Sequence, residues 1–113
     1  MNIQIFGKSK CFDTKKAERY FKERRVKFQA VDLLKYGMSR GELLSVIRAV
    51  GLEAVIDQKH PDAPLLNYLA YDDAKLEKLV EDPRLLKTPI VRNGKLATVG
   101  YQPEVWKSWE PQR

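Results

Sequence analysis

The sequence has one cysteine, Cys11, and one histidine, His60. A single cysteine excludes a disulfide within the chain, and with one histidine it matches no metal-ligand spacing. No apolar stretch approaches the roughly 20 residues of a membrane-spanning helix, and the chain enters a predicted strand within two residues, without a secretory signal pattern. We therefore expect a cytoplasmic protein that binds no metal or cofactor.

Long runs of like charge are also absent. The 21 Lys and Arg residues and 15 Asp and Glu residues are interspersed and leave a net charge of +6. This pattern argues against direct nucleic-acid binding through a basic tail, but it is compatible with an acidic partner or an anionic substrate. A length of 113 residues predicts one domain over residues 1–113. We expect that domain to be a monomer.

The first third of the chain has the pattern of a strand, a helix and a second strand. Residues 2–6 alternate between apolar and polar side chains, residues 12–24 have helical periodicity, and residues 28–33 are predicted to form a second short strand. In the helix, Ala17, Tyr20 and Phe21 recur at a spacing of three and four, which predicts its buried face. The first third is therefore a βαβ unit.

The middle of the chain is predicted to be a helical insertion over about residues 38–86. Ser39 and Glu42 have the spacing of a capping box, and Gly51 ends the helix that they begin. After a proline-containing stretch, Asp72 or Asp73 is expected to cap a further helix that continues through Val80.

The last third predicts a hairpin and a terminal helix. Asn93-Gly94 is a strong signal for a tight turn between the strand segments at 89–92 and 95–99. Pro103 lies near the first turn of a short helix whose apolar contacts come from Trp106 and Trp109. The complete order is β-α-β, a helical insertion, then β-β-α.

Cys11 lies where the first strand passes into the first helix. A helix start offers unpaired N–H groups and the positive end of the helix dipole, and Lys8 and Lys10 add positive charge, all of which favour a thiolate. The alternative is that Cys11 is a small buried apolar residue. Thr14 also has two interpretations, because its hydroxyl can hydrogen-bond the thiolate or cap the helix.

Three segments, residues 6–17, 85–92 and 99–104, resemble the ArsC/Spx family of thioredoxin-fold proteins. The resemblance implies an α/β fold with a mixed four-stranded sheet, a cis bond between Thr88 and Pro89, and thiol-dependent reductase activity. In that chemistry Cys11 attacks as the catalytic nucleophile and Thr14 orients it. Lys8 and Lys10 would hold the thiolate, and Thr88, Pro89 and Arg92 would form the wall against which a thiol partner lies.

A dithiol mechanism is excluded because position 14 is threonine, so the resolving thiol must come from outside the chain, as glutathione or a glutaredoxin-like protein. Arsenate reductases of the resembled family bind the oxyanion with three arginines, and this sequence has Val55, Thr88 and Gln102 at those positions. We therefore do not expect arsenate to be the substrate. The Spx branch of the family suggests an alternative, a non-enzymatic regulator that docks on the RNA polymerase alpha subunit through the helical insertion.

Overall fold

The computed structural model describes residues 1–110. Strands β1 (Ile3–Gly7) and β2 (Phe28–Asp32) are parallel and are joined by helix α1 (Phe12–Glu23). The remaining two strands, β3 (Ile90–Asn93) and β4 (Leu96–Val99), form an antiparallel hairpin, and β3 also pairs antiparallel with β1. The sheet order is β2-β1-β3-β4, which confirms the predicted mixed four-stranded sheet.

Helices connect β2 to β3 and follow β4. The connection contains α2 (Leu33–Tyr36), α3 (Arg40–Val50) and α4 (Asp72–Glu81), with short 3₁₀ turns at Glu53–Val55, Ala63–Tyr68 and Pro83–Leu85, and α5 (Pro103–Trp109) follows β4. The order therefore agrees with the prediction. The predicted single domain includes residues 111–113, which lie outside the described residues, and the number of domains stays a prediction.

Local hydrogen bonds explain where the helices begin and end. The Ser39 and Glu42 side chains form the predicted capping box, and Gly51 ends α3 with a φ of 92°. The expectation that Asp72 or Asp73 caps α4 was wrong: Asp72 is the first helical residue, and no side chain caps this helix. The sequence analysis also missed α2, which begins because the Asp32 carboxylate accepts a hydrogen bond from the Leu34 N–H.

Alternation along the strands divides the core between the two faces of the sheet. Ile3 and Ile5 of β1 pack with α1 and α5, whereas Phe6 packs with the helices between β2 and β3. On the first face, Trp106 is fully buried against Tyr20 and Phe21 of α1, with both ring centroids 5.2 Å from its own. Apolar periodicity on α1 therefore identified the side that covers the sheet.

A buried hydrogen bond joins α5 to β4. The Trp106 indole N–H donates to the Thr98 hydroxyl at 2.7 Å, and both residues are buried. Removing one partner of a buried hydrogen bond leaves the other polar group buried without a partner, which costs stability. This bond therefore anchors the terminal helix on the sheet.

Replacing Trp106 by Phe is expected to lower the free energy of unfolding by about 1–3 kcal/mol, because the Thr98 hydroxyl loses its partner. Thr98→Val should lower the free energy of unfolding by a similar amount, because the indole N–H is left without an acceptor. The double variant should cost less than the sum, since it leaves neither polar group unpaired. Urea-induced unfolding of the four proteins measures this coupling, and strictly additive costs would show that the bond contributes nothing.

Candidate functional site

Cys11 is held at the first turn of α1 by backbone hydrogen bonds. Its N–H donates to the Lys8 carbonyl at 3.0 Å, which closes a tight turn between β1 and α1. Cys11 is the N-cap residue, with φ −90° and ψ 115°, and no side chain caps this helix. The thiol is half-buried and lies beside the free N–H groups of the first turn.

Two opposing effects determine the pKa of the Cys11 thiol. Burial raises this pKa, but hydrogen bonds from the hydroxyls of Thr14 and Thr88 and from the backbone N–H groups of Asp13 and Thr14 lower it. Their sum outweighs burial, so the pKa of Cys11 lies below its ordinary value. A lower pKa increases the thiolate fraction at neutral pH, which is the form that attacks disulfides.

Thr14 contacts the loop of residues 8–11 between β1 and α1, which we call the thiol loop. It is buried, and its Oγ1 accepts a hydrogen bond from the Lys8 N–H at 3.4 Å. Gly7 makes this position accessible, because a Cβ at residue 7 would overlap the Thr14 side chain. Thr14 does not cap α1. Of the two interpretations of this residue, the geometry supports the one in which the hydroxyl stabilises the thiolate.

Lys8 contacts the loop that precedes β3. Its Nζ donates to the carbonyl oxygens of Arg84 at 3.0 Å and Leu86 at 2.7 Å, and burial lowers its pKa. Lys10 is exposed. The largest effects that lower the thiol pKa are thus hydroxyl and N–H hydrogen bonds. The sequence analysis had expected a larger effect from the charges of Lys8 and Lys10.

Thr88 and Pro89 approach the thiol from the other side. Both are buried, the peptide bond between them is cis, and the Thr88 carbonyl accepts a hydrogen bond from the Cys11 thiol at 3.6 Å. Backbone bonds on either side hold this loop: Lys87 N–H donates to the Val55 carbonyl at 2.9 Å, and Gly100 N–H donates to the Pro89 carbonyl at 2.8 Å.

Arg92 does not join this group of residues. It lies opposite Gln4 in the β1–β3 register, and its guanidinium donates to the Gln4 Oε1 at 3.0 Å and lies 3.5 Å from a Glu42 carboxylate oxygen. These contacts direct it towards α3, along the strand from the thiol end. The Arg92 guanidinium therefore contacts Gln4 and Glu42 and not Cys11. Its role in binding a thiol partner stays a prediction from the sequence.

The three positions at which the resembled arsenate reductases have arginine differ in their exposure and contacts. Val55 is fully buried in the core, Thr88 is buried beside the thiol, and the exposed Gln102 donates to the Val99 carbonyl at 3.3 Å. The nearby Arg84 is paired with the Asp82 carboxylate through two hydrogen bonds of 2.8 Å. No guanidinium in residues 1–110 makes a hydrogen bond to Cys11, Thr14 or Thr88.

Sequence reasoning missed Phe12, the residue that follows the thiol. Its side chain is 78% exposed, and the Lys15 Nζ lies 5.9 Å from its ring centroid. One signal was available, because Phe12 lies off the apolar face of α1 that Ala17, Tyr20 and Phe21 define. A large apolar side chain outside that face is not needed for packing.

A half-buried thiol at the start of the first helix, beside a buried Thr-Pro loop on a mixed four-stranded sheet, is the arrangement of a thioredoxin-like fold that carries one cysteine. A model of the ArsC family matches residues 6–109. The chain belongs to the ArsC family, as the three sequence segments indicated.

The chain is similar in sequence to a transcriptional regulator and similar in fold to solved structures of ArsC-family proteins. The chain is 30% identical to the global transcriptional regulator Spx 2 of Oceanobacillus iheyensis, over 100% of this chain and 87% of that protein. The arsenate reductase from Vibrio cholerae has a TM-score of 0.83 at 24% identity and covers 96% of this chain and 97% of its own. An ArsC-family-related protein from Bacteroides fragilis also has a TM-score of 0.83, at 18% identity, with coverage of 97% and 98%.

None of the helices within residues 1–110 is long and apolar enough to cross a membrane.

Replacing Thr14 by Val is expected to raise the pKa of Cys11, because the variant keeps the shape of the side chain and removes the hydroxyl that stabilises the thiolate. Thr14→Ser is the matched control and should keep a lower pKa. The pH dependence of alkylation by iodoacetamide measures both values. An unchanged midpoint in Thr14→Val would assign the effect to the backbone N–H groups and Thr88.

Proposed function

We propose that the protein is a thiol-dependent reductase in which Cys11 is the single nucleophile and an outside thiol, glutathione or a glutaredoxin-like protein, completes the reaction. The observation that carries this proposal is the position of Cys11, half-buried at a helix start, with hydroxyl and N–H hydrogen bonds that lower its pKa. Such hydrogen bonds favour the thiolate before any substrate arrives.

The reaction is an exchange in two steps. The Cys11 thiolate attacks the glutathione sulfur of a glutathione mixed disulfide, and a Cys11–glutathione S–S bond forms while the other sulfur leaves as a thiolate. A second glutathione thiolate then attacks this mixed disulfide, which releases the Cys11 thiolate and forms oxidised glutathione. The second step needs the outside thiol because Cys11 is the only cysteine of the chain.

The Thr88 backbone offers a place for the peptide portion of a substrate. The Thr88 N–H donates to no acceptor within residues 1–110, while its carbonyl accepts from the thiol. A partner carbonyl that bonds this N–H would align a disulfide with Cys11. In this proposal Thr88 and Pro89 position the substrate, and Thr14 stabilises the thiolate. Lys8 holds the thiol loop against the segment before β3 through its two hydrogen bonds to carbonyl oxygens.

Arsenate is a poor fit to the same surface. Oxyanion binding favours bidentate guanidinium groups, and the three candidate arginine positions hold Val55, Thr88 and Gln102. A disulfide bond is uncharged and has no such requirement. The proposal therefore favours disulfide substrates, and glutathione as co-reactant is consistent with a reducing, cytoplasmic setting.

The purified protein should be alkylated faster at neutral pH than a free cysteine, and oxidised glutathione should convert it to a Cys11–glutathione mixed disulfide that excess reduced glutathione resolves. The reason is the lowered thiol pKa. Alkylation rate against pH and intact mass measure both steps, with Cys11→Ser as the blank. A thiol that reacts no faster than free cysteine and forms no adduct would contradict the reductase proposal.

A second function, transcriptional regulation through the RNA polymerase alpha subunit, is favoured by the 30% identity with Spx 2 over the whole chain. Its contact surface would be the helical part between β2 and β3, which needs no thiol.

For this second function, wild type and Cys11→Ser should bind purified alpha subunit equally in a titration by calorimetry. Absence of binding at micromolar concentrations would count against it.

A further inference from the structure

The surface beside the thiol is open and carries an unpacked aromatic ring. Phe12 is 78% exposed, although it directly follows the half-buried Cys11. A cavity of about 390 Å³ adjoins the thiol loop, but it is lined by Lys8, Ser9 and Thr14 and not by Cys11. That cavity therefore does not enclose the sulfur, and Phe12 is available to contact a partner.

Three lysines lie next to the ring or the thiol, because Lys15 Nζ is 5.9 Å from the Phe12 ring centroid, Lys10 directly precedes Cys11, and Lys87 directly precedes Thr88. Lys10, Lys15 and Lys87 are exposed, and none of them forms an ion pair within residues 1–110. The neighbouring carboxylate of Asp13 lies 4.0 Å from the Lys16 Nζ, which neutralises one further lysine. The charge that remains beside the thiol is thus positive on both sides, on the α1 side and next to Thr88.

We propose that the surface formed by Phe12, Lys10, Lys15 and Lys87 docks an acidic protein segment whose cysteine is joined to glutathione. This inference rests on the proposed reductase function and adds its substrate class. The apolar ring supplies contact area, and the three ammonium groups attract carboxylates that flank the modified cysteine. Cys11 then attacks the glutathione sulfur, the protein cysteine leaves as a thiolate, and a second glutathione restores Cys11 as described above.

Synthetic peptides with the same glutathionylated cysteine separate the partner's charge from that of glutathione. Three peptides differ only in their flanks, which carry Asp and Glu, the neutral Asn and Gln, or Lys. At low ionic strength the acidic peptide should release its thiol about tenfold faster than the neutral one. This advantage should shrink as salt is raised, because exposed charges are screened.

Variants test the two parts of the surface separately. Phe12→Ser should slow exchange with every peptide by about fivefold through lost apolar contact. The double variant Lys15→Gln, Lys87→Gln should remove most of the preference for the acidic peptide while its alkylation by neutral iodoacetamide stays unchanged, because hydrogen bonds are the largest effects lowering the Cys11 pKa.

Matched controls lie elsewhere on the molecule. Tyr68 is 84% exposed in the helical part between β2 and β3, and Lys95 is exposed in the hairpin turn at the opposite end of the sheet. Tyr68→Ser and Lys95→Gln should leave rates and charge preference as in wild type.

Equal rates for the three peptides, or wild-type behaviour of both site variants, would overturn the docking surface while the reductase stands. A lack of exchange with every glutathionylated peptide would instead overturn the reductase itself.

Discussion

The pairing of β1 with β3 is the constraint on which the site depends. Phe6 lies opposite Ile90, so the loop that follows β1 and the loop that precedes β3 meet at one end of the sheet. Lys8 then bonds two carbonyls of the second loop, and the Cys11 thiol reaches the Thr88 carbonyl. A shift of this pairing by one residue would turn the side chains of β1 to the opposite faces and separate the two loops.

Within this frame, short-range hydrogen bonds are the largest effects that lower the pKa of the Cys11 thiol. The Thr14 hydroxyl is available to Cys11 because Gly7 leaves room for it, and the first turn of α1 contributes two N–H groups. Exposed ammonium groups act mainly on what approaches from solution, since water and salt screen them at the sulfur. In our proposal, one set of groups therefore lowers the thiol pKa, and another contacts the partner.

Much of the fold could be predicted from local patterns. The alternation in β1 and the apolar face of α1 depend on neighbouring residues, and both were found where expected. The hairpin turn predicted at Asn93-Gly94 lies one residue later, at Gly94 and Lys95, because Asn93 still pairs with Leu96 in the sheet. The short helix α2 was missed because one side-chain bond from Asp32 begins it, and four residues show no periodicity. The start of α4 was misjudged because Asp72 has the residue type of a cap but takes a helical position.

The sequence by itself determined that the chain has one thiol, that this thiol lies between a strand and a helix, and that any resolving thiol comes from outside. The tertiary structure decided which side chains surround it. Lys8 bonds carbonyls more than 70 positions away, and Arg92 turns to Gln4 and Glu42 instead of the thiol. The reason is that strand register and packing choose the partners of long polar side chains, and neither can be read from residues adjacent in the chain.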